Sequence, residues 1–246
     1  MQTETLTYFH DDLPCQGFLA YDESSQAKRP VILIAHTFRG QGERSRKLAK
    51  ELAGLGYLGF AIDIYGEGKY TEDREEAAQW MAPFFIDRKL LQERMIAAAK
   101  AIESHLKVDK TKIGAVGFCF GGLAVYELLR SEKPVAGAVS IHGIFASELW
   151  GEKAKLVPIA PDIEGALLIL NGHDDPLVPV EDLERVATEM TKAGIDWQIH
   201  NYGHTVHGFT NPEAADPEGG VCYSEKSTRR AMRSMQIFFS ELFGGE

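Results

Sequence analysis

Gly117-Phe118-Cys119-Phe120-Gly121-Gly122 constrains this chain more than any other stretch, because it joins two segments of different period. Before it, Lys112 to Phe118 (KIGAVGF) has the near-continuous apolar character of a strand covered on both faces. After it, Gly121 to Arg130 reads as a helix. A strand that becomes a helix within one residue holds that residue in a strained backbone. Side chains on the flanking positions would crowd the turn, which accounts for Gly117 and Gly121. Cys119, at the apex, is pushed out of the end of the sheet, and it stands where unpaired helix N–H groups and the helix dipole favour thiolate over thiol.

The rest of the chain alternates in the same way. Thr3 to Phe9 and Cys15 to Tyr21 read as an antiparallel hairpin at a sheet edge, turning through residues 10–14. Pro30 to Ala35 is a buried strand, Glu43 to Leu55 a helix, and Tyr57 to Ile64 a second strand, which together form one βαβ unit. Thr71 to Leu106 is predicted as two helices broken near Pro83. Strands follow at Val135 to Ile141, Ala166 to Asn171 and Trp197 to Tyr202, with helices at Val180 to Ala193 and about Ser224 to Leu242. Trp150 to Glu164 and Asn211 to Gly220 read as long loops. No repeat or linker divides the 246 residues, so the prediction is one α/β domain over 1–246, a mostly parallel central sheet with helices on both faces.

A G-x-nucleophile-x-G turn between strand and helix is the elbow of the α/β-hydrolase fold, and that fold orders its residues as nucleophile, acid, histidine. Gly172-His173-Asp174-Asp175-Pro176-Leu177-Val178 follows one later strand, and His204-Thr205-Val206-His207-Gly208-Phe209 follows the next. Asp175 is preferred to Asp174 from its place in Gly-x-x-Asp-x-x-Val, the usual acid turn of these hydrolases. His207 is preferred to His204 because the small Gly208 after it leaves room for the imidazole to approach Cys119. The backbone N–H groups of Phe120 and of Thr37, in the loop after Ala35, are the expected oxyanion donors. Attack by the Cys119 thiolate, with His207 as base and Asp175 orienting it, predicts an acyl-enzyme hydrolase.

GFCFGG, GHDDPLVP and VHGF resemble the dienelactone hydrolase family, over about Pro30 to Leu242. The resemblance implies a cysteine nucleophile that opens small esters or lactones without metal or organic cofactor. In the best-known members a glutamate after the third strand pairs with the resting thiol, and here that position is His36. A histidine there is placed to hydrogen-bond Cys119, to hold the loop backbone, or to leave the thiolate accessible. Typical members also carry an arginine shortly after the histidine, where this chain reads Gly208-Phe209-Thr210-Asn211. His36, Phe38, Arg39 and Arg88 are the candidate substrate contacts, with Arg39 and Arg88 as carboxylate anchors.

Rival readings are a promiscuous aryl-esterase or phosphotriesterase using the same thiolate, and a hydrolase-fold module that binds a ligand without chemistry. Redox sensing by Cys119 is a third, without a resolving partner evident, since Cys15 and Cys222 are distant in sequence. The three cysteines form no CxxC pair, which argues against a disulfide framework or structural zinc. A formal net charge of -10 disfavours nucleic acid and anionic membranes as partners, leaving a small molecule bound by a monomer or homodimer. The first residues lack the basic and apolar regions of a secretion signal, so a cytoplasmic location is expected.

Overall fold

The computed structural model describes residues 1–24, 27–133, 135–149 and 151–244. Its strands are β1 (Gln2–His10), β2 (Leu13–Tyr21), β3 (Arg29–Ala35), β4 (Leu58–Ala61), β5 (Val108–Phe118), β6 (Gly137–Ile141), β7 (Glu148–Leu149), β8 (Glu152–Lys153), β9 (Ala166–Gly172), β10 (Asp196–Tyr202), β11 (Ala215–Asp216) and β12 (Val221–Cys222). The helices are α1 (Glu43–Gly54), α2 (Arg74–Ile86), α3 (Arg88–Glu103), α4 (Phe120–Leu129), α5 (Val180–Lys192) and α6 (Glu225–Phe243). Eight strands form one sheet in the order β1-β2-β4-β3-β5-β6-β9-β10. The run from β4 to β10 is parallel, and β1 and β2 add an antiparallel edge.

Alternate residues of β3 enter opposite cores, as a period of two requires. Val31, Leu33 and Ala35 join Leu91, Met95 and Leu123, on the α3–α4 face. Ile32 and Ile34 pack with Leu48 and Leu52 of α1 and Phe239 of α6. This two-sided covering is why β3 carries no polar residue among Val31 to Ala35. The chain steps from β3 outward to β4 and then returns to β5 on the other side of β3. Loops leave the carboxyl ends of β3 and β5 in opposite directions there, which opens the crevice where open α/β sheets bind ligands.

Three segments differ from expectation. The helical stretch after residue 71 breaks at Asp87, not near Pro83, which lies inside α2. Asp87 has extended backbone (φ -100°, ψ 94°), and its carboxylate accepts from the Leu90 N–H at 3.1 Å, capping α3. Proline removes one donor from α2, whereas an N-cap restarts a helix in a new direction. The two stretches expected as long loops each supply one arm of a short hairpin, β8 paired with β7 and β11 paired with β12. Trp150, where the first loop was expected to start, lies outside the described residues.

The sheet on one side and α3 on the other cover α4 so fully that all ten of its residues are buried. Arg130, just past its end, donates to the Val157 carbonyl at 2.7 Å, while Ala160 N–H donates to the Arg130 carbonyl at 2.9 Å. The guanidinium also bonds Glu127 at 2.7 Å and Glu189 of α5 at 2.8 Å. Buried charges paired on two sides keep such a helix in one position. Among the described residues, no helix is long and apolar enough to cross a membrane.

Candidate active site

Cys119 sits between β5 and α4 with φ 55° and ψ -119°, a left-handed φ that residues bearing a Cβ seldom adopt. Its neighbours show why the turn needs glycine. A Cβ on Gly117 would lie 1.9 Å from the Gly121 carbonyl oxygen, and one on Gly121 would lie 2.3 Å from the Ala35 oxygen and 2.6 Å from the His36 oxygen. The second contact brings the start of α4 against the loop leaving β3. The carbonyl of Cys119 takes the N–H of Gly122 at 2.9 Å, and its own N–H donates to the Ile141 carbonyl and to His142 Nδ1, each at 3.1 Å.

Asp175 and His207 arrive from the ends of β9 and β10. His207 Nδ1 lies 2.8 Å from Asp175 Oδ2, while Asp175 Oδ1 accepts the Leu177 N–H at 2.9 Å. The backbone of His207 is clamped on both sides, its N–H to the Gly220 carbonyl at 3.0 Å and its carbonyl to the Cys222 N–H at 3.2 Å. The second hairpin therefore holds the imidazole. All three side chains are nearly out of solvent, Cys119 at 8%, Asp175 at 4% and His207 at 5% exposure. Burial alone would lower the pKa of His207. The charge on the Cys119 sulfur, then the hydrogen bond with Asp175, outweigh it and raise the imidazole to about 10. The alternatives lie elsewhere: His204 is fully solvent-exposed, 4.0 Å from an exposed Asp174.

The N–H of Phe120, first residue of α4, and that of Thr37 enter no hydrogen bond among the described residues. Both belong to the backbone that meets at Gly121. A helix start has N–H groups without intrahelical partners, so donors remain for an anionic oxygen.

His36 is 1% exposed and faces inward, so it is not a substrate contact as expected. Its Nδ1 lies 2.6 Å from the Thr37 carbonyl, and its Nε2 accepts the Ile64 N–H at 3.1 Å. Of the three roles open to it, these bonds match holding the loop backbone. Burial lowers its pKa, which keeps the imidazole in the neutral form these bonds require. Phe38 is partly buried, and its carbonyl accepts the Tyr65 hydroxyl at 2.9 Å.

Arg39 is paired with Glu72 at 2.6 Å and is no open carboxylate anchor. Arg88 is 1% exposed, stacked 4.4 Å from the Phe85 ring and bonded to the Ala146 carbonyl at 2.7 Å. Burial lowers it to about 10, and the neighbouring charges are those of Glu127 and Arg130 at the far end of α4 and of Arg185 in α5. Arg88 stands between Phe85 of α2 and the Ala146 carbonyl and lines a small cavity with Tyr126 and Phe145. Arginine's long apolar stem suits such burial, a use that residue type alone does not reveal.

Aromatic side chains gather beside the elbow. Tyr65 anchors an aromatic wall, with its ring centroid 6.0 Å from Phe120, 5.7 Å from Phe84 and 6.0 Å from Trp80. Burial, and then the Cys119 charge, push its hydroxyl well above the ordinary tyrosine range. Two groups at this site escaped the sequence reading, His142 and Thr210, with His142 Nε2 2.9 Å from Thr210 Oγ1. The available signal was position: His142 is the first residue beyond β6, at the carboxyl edge of the sheet where sites gather.

The profile of the dienelactone hydrolase family matches residues 16–243. A crystal structure of a dienelactone hydrolase-like promiscuous phosphotriesterase from metagenomic libraries superposes with a TM-score of 0.89 at 30% identity, covering 98% of each chain. A Synechocystis sp. protein bearing a provisional carboxymethylenebutenolidase name is 26% identical over 253 residues, again 98% of each chain. A carboxymethylenebutenolidase homolog of Pongo abelii is 24% identical over 197 residues, 77% of this chain and 74% of that one.

Proposed function

The chain belongs to the dienelactone hydrolase family and is an ester-bond hydrolase, and from that premise we propose that Cys119 is its nucleophile, acting on small carboxylic esters or lactones. The observation that carries this reading is the strained Cys119 at the start of α4, whose sulfur acts on an imidazole held by Asp175 at 2.8 Å. In this mechanism His207 takes the proton of Cys119, leaving a thiolate beside an imidazolium. The sulfur adds to the substrate carbonyl carbon, and the π electrons move to the oxygen, which the N–H groups of Phe120 and Thr37 receive.

Collapse of that intermediate breaks the carbon–oxygen bond of the ester, and the His207 imidazolium gives its proton to the departing alkoxide. The now neutral His207 takes a proton from water. The resulting hydroxide attacks the thioester, and expulsion of the thiolate restores the pair. In a lactone the alcohol stays tethered to the acyl group, so one product leaves. The wall of Tyr65, Trp80, Phe84 and Phe120 suits an apolar acyl or aryl portion.

Mass spectrometry after brief exposure to p-nitrophenyl acetate tests this. The expectation is an acetyl group on Cys119 in the wild type and none at that position in Cys119→Ala. Turnover unchanged in Cys119→Ala refutes it. A second activity, hydrolysis of aryl phosphotriesters by the same thiolate, is favoured by the likeness to the promiscuous phosphotriesterase. Its tetrahedral centre with an anionic oxygen would use the same two N–H donors. Release of p-nitrophenolate from a phosphotriester, lost in Cys119→Ala, is the matching assay.

A further inference from the structure

The geometry points to His142 as a positioning residue that sets the nucleophile and the base at a fixed separation; this rests on the reading of Cys119 and His207 above. One imidazole is bonded at both ends to parts of the site that come from distant stretches of chain. Nδ1 accepts the backbone N–H of Cys119 at 3.1 Å, on the residue that bears the sulfur. Nε2 stands 2.9 Å from the hydroxyl of Thr210, three residues beyond His207 in the loop that bears the base. Because Nδ1 accepts, the ring proton is on Nε2 and the Thr210 oxygen receives it.

The ring is also wedged against the base itself, its centroid 5.1 Å from that of His207 in an edge-to-face arrangement. Phe209 at 5.2 Å and Phe118 at 6.0 Å close its other sides, so it cannot swing away. Its backbone has φ 40°, a conformation costly for a residue with a side chain. Glycine would relieve that strain and lose both bonds. Burial, and then the neighbouring His207 charge, hold His142 well below the ordinary histidine range, which keeps it a neutral acceptor for the Cys119 N–H that it shares with the Ile141 carbonyl.

The test measures acylation by p-nitrophenyl acetate in the pre-steady state, with kcat and KM, for wild type, His142→Gly, His142→Asn, Thr210→Val and Thr210→Ser. Glycine and asparagine both tolerate the left-handed backbone, and asparagine keeps an oxygen acceptor near the place of Nδ1. His142→Gly is expected to slow acylation on the order of 10²-fold, the size associated with a misplacement of about 1 Å. The dissociation constant of the substrate, read from the concentration dependence of the acylation rate, should stay within about twofold, since substrate binding is untouched. His142→Asn should recover most of the loss; Thr210→Val should lose part of the rate and Thr210→Ser should not.

Acylation at the wild-type rate in His142→Gly, an asparagine variant no better than glycine, or a loss confined to the substrate dissociation constant overturns the inference. If His142→Gly does not fold, the Thr210 pair decides alone, and equal rates for valine and serine overturn it. A wild type that never carries acetyl on Cys119 instead overturns the underlying reading of the nucleophile. Wild-type acylation with indifferent variants removes only the role of His142.

Discussion

Replacing Gly117 by alanine tests whether the sharpness of the elbow matters to catalysis. The added Cβ would sit 1.9 Å from the Gly121 oxygen, 2.2 Å from its carbonyl carbon and 2.8 Å from the Gly122 nitrogen, all backbone atoms that no rotamer change can move. Ordinary contact begins near 3.4 Å, so the first turn of α4 must retreat by about 1.5 Å from β5. Forced repacking of this kind costs about 1–3 kcal/mol. The retreat also carries Cys119 away from His207, and a shift of about 1 Å is worth on the order of 10²-fold in rate. The matched control is Gly54→Ala, in the last turn of α1 with no atom within 4 Å of the new Cβ, expected to gain about 0.5–1 kcal/mol with activity unchanged. Urea denaturation and kcat on p-nitrophenyl acetate read both variants. A Gly117→Ala protein with wild-type kcat, whatever its stability, refutes the link between elbow geometry and chemistry.

Asp175→Asn should lower kcat by about 10²- to 10⁴-fold with little change in KM, since the amide spoils the tautomer that the 2.8 Å contact selects; undiminished kcat speaks against Asp175 as orienting acid. His36 and His142 both titrate below the ordinary histidine value of 6.5 because they are buried. The unfolded chain then takes up protons below about pH 6.5 that the folded chain refuses. Stability present above that pH falls on acidification by about 1.4 kcal/mol per pH unit for each histidine. Urea midpoints at about pH 5.5 and 7.5 should fall less steeply in His142→Asn than in wild type, and identical slopes would contradict this assignment. Arg88→Met should leave kcat and KM for anionic and neutral esters alike, and cost at most about 1 kcal/mol, because Arg88 Nε and Nη1 have no partner in place. A selective rise in KM for anionic esters would return Arg88 to the binding site.

What could be read in advance was whatever a few adjacent residues decide. The elbow is local: Gly117, Cys119 and Gly121 meet within one turn, so their spacing alone predicts the geometry. Strands buried on two faces declare themselves by uninterrupted aliphatic residues, as β3 and β9 do. The partners of single polar side chains are non-local and carry no such signature. Nothing near His142 in sequence indicates that Thr210 will meet it, 68 residues away, nor does anything near Arg39 announce Glu72. Arg88 and Arg39 looked alike as free cations until packing buried one and paired the other. The hairpin β11–β12 hides in a polar stretch because two-residue strands are too short to show a period.

The clamp of His207 between Gly220 and Cys222 makes the hairpin that precedes α6 a supporting part of the proton-transfer apparatus, although none of its own side chains reacts. Lengthening or trimming residues 212–219 would displace the imidazole even with every reacting group retained. Grafts from relatives that differ in length there would bring a detuned base along with any new surface.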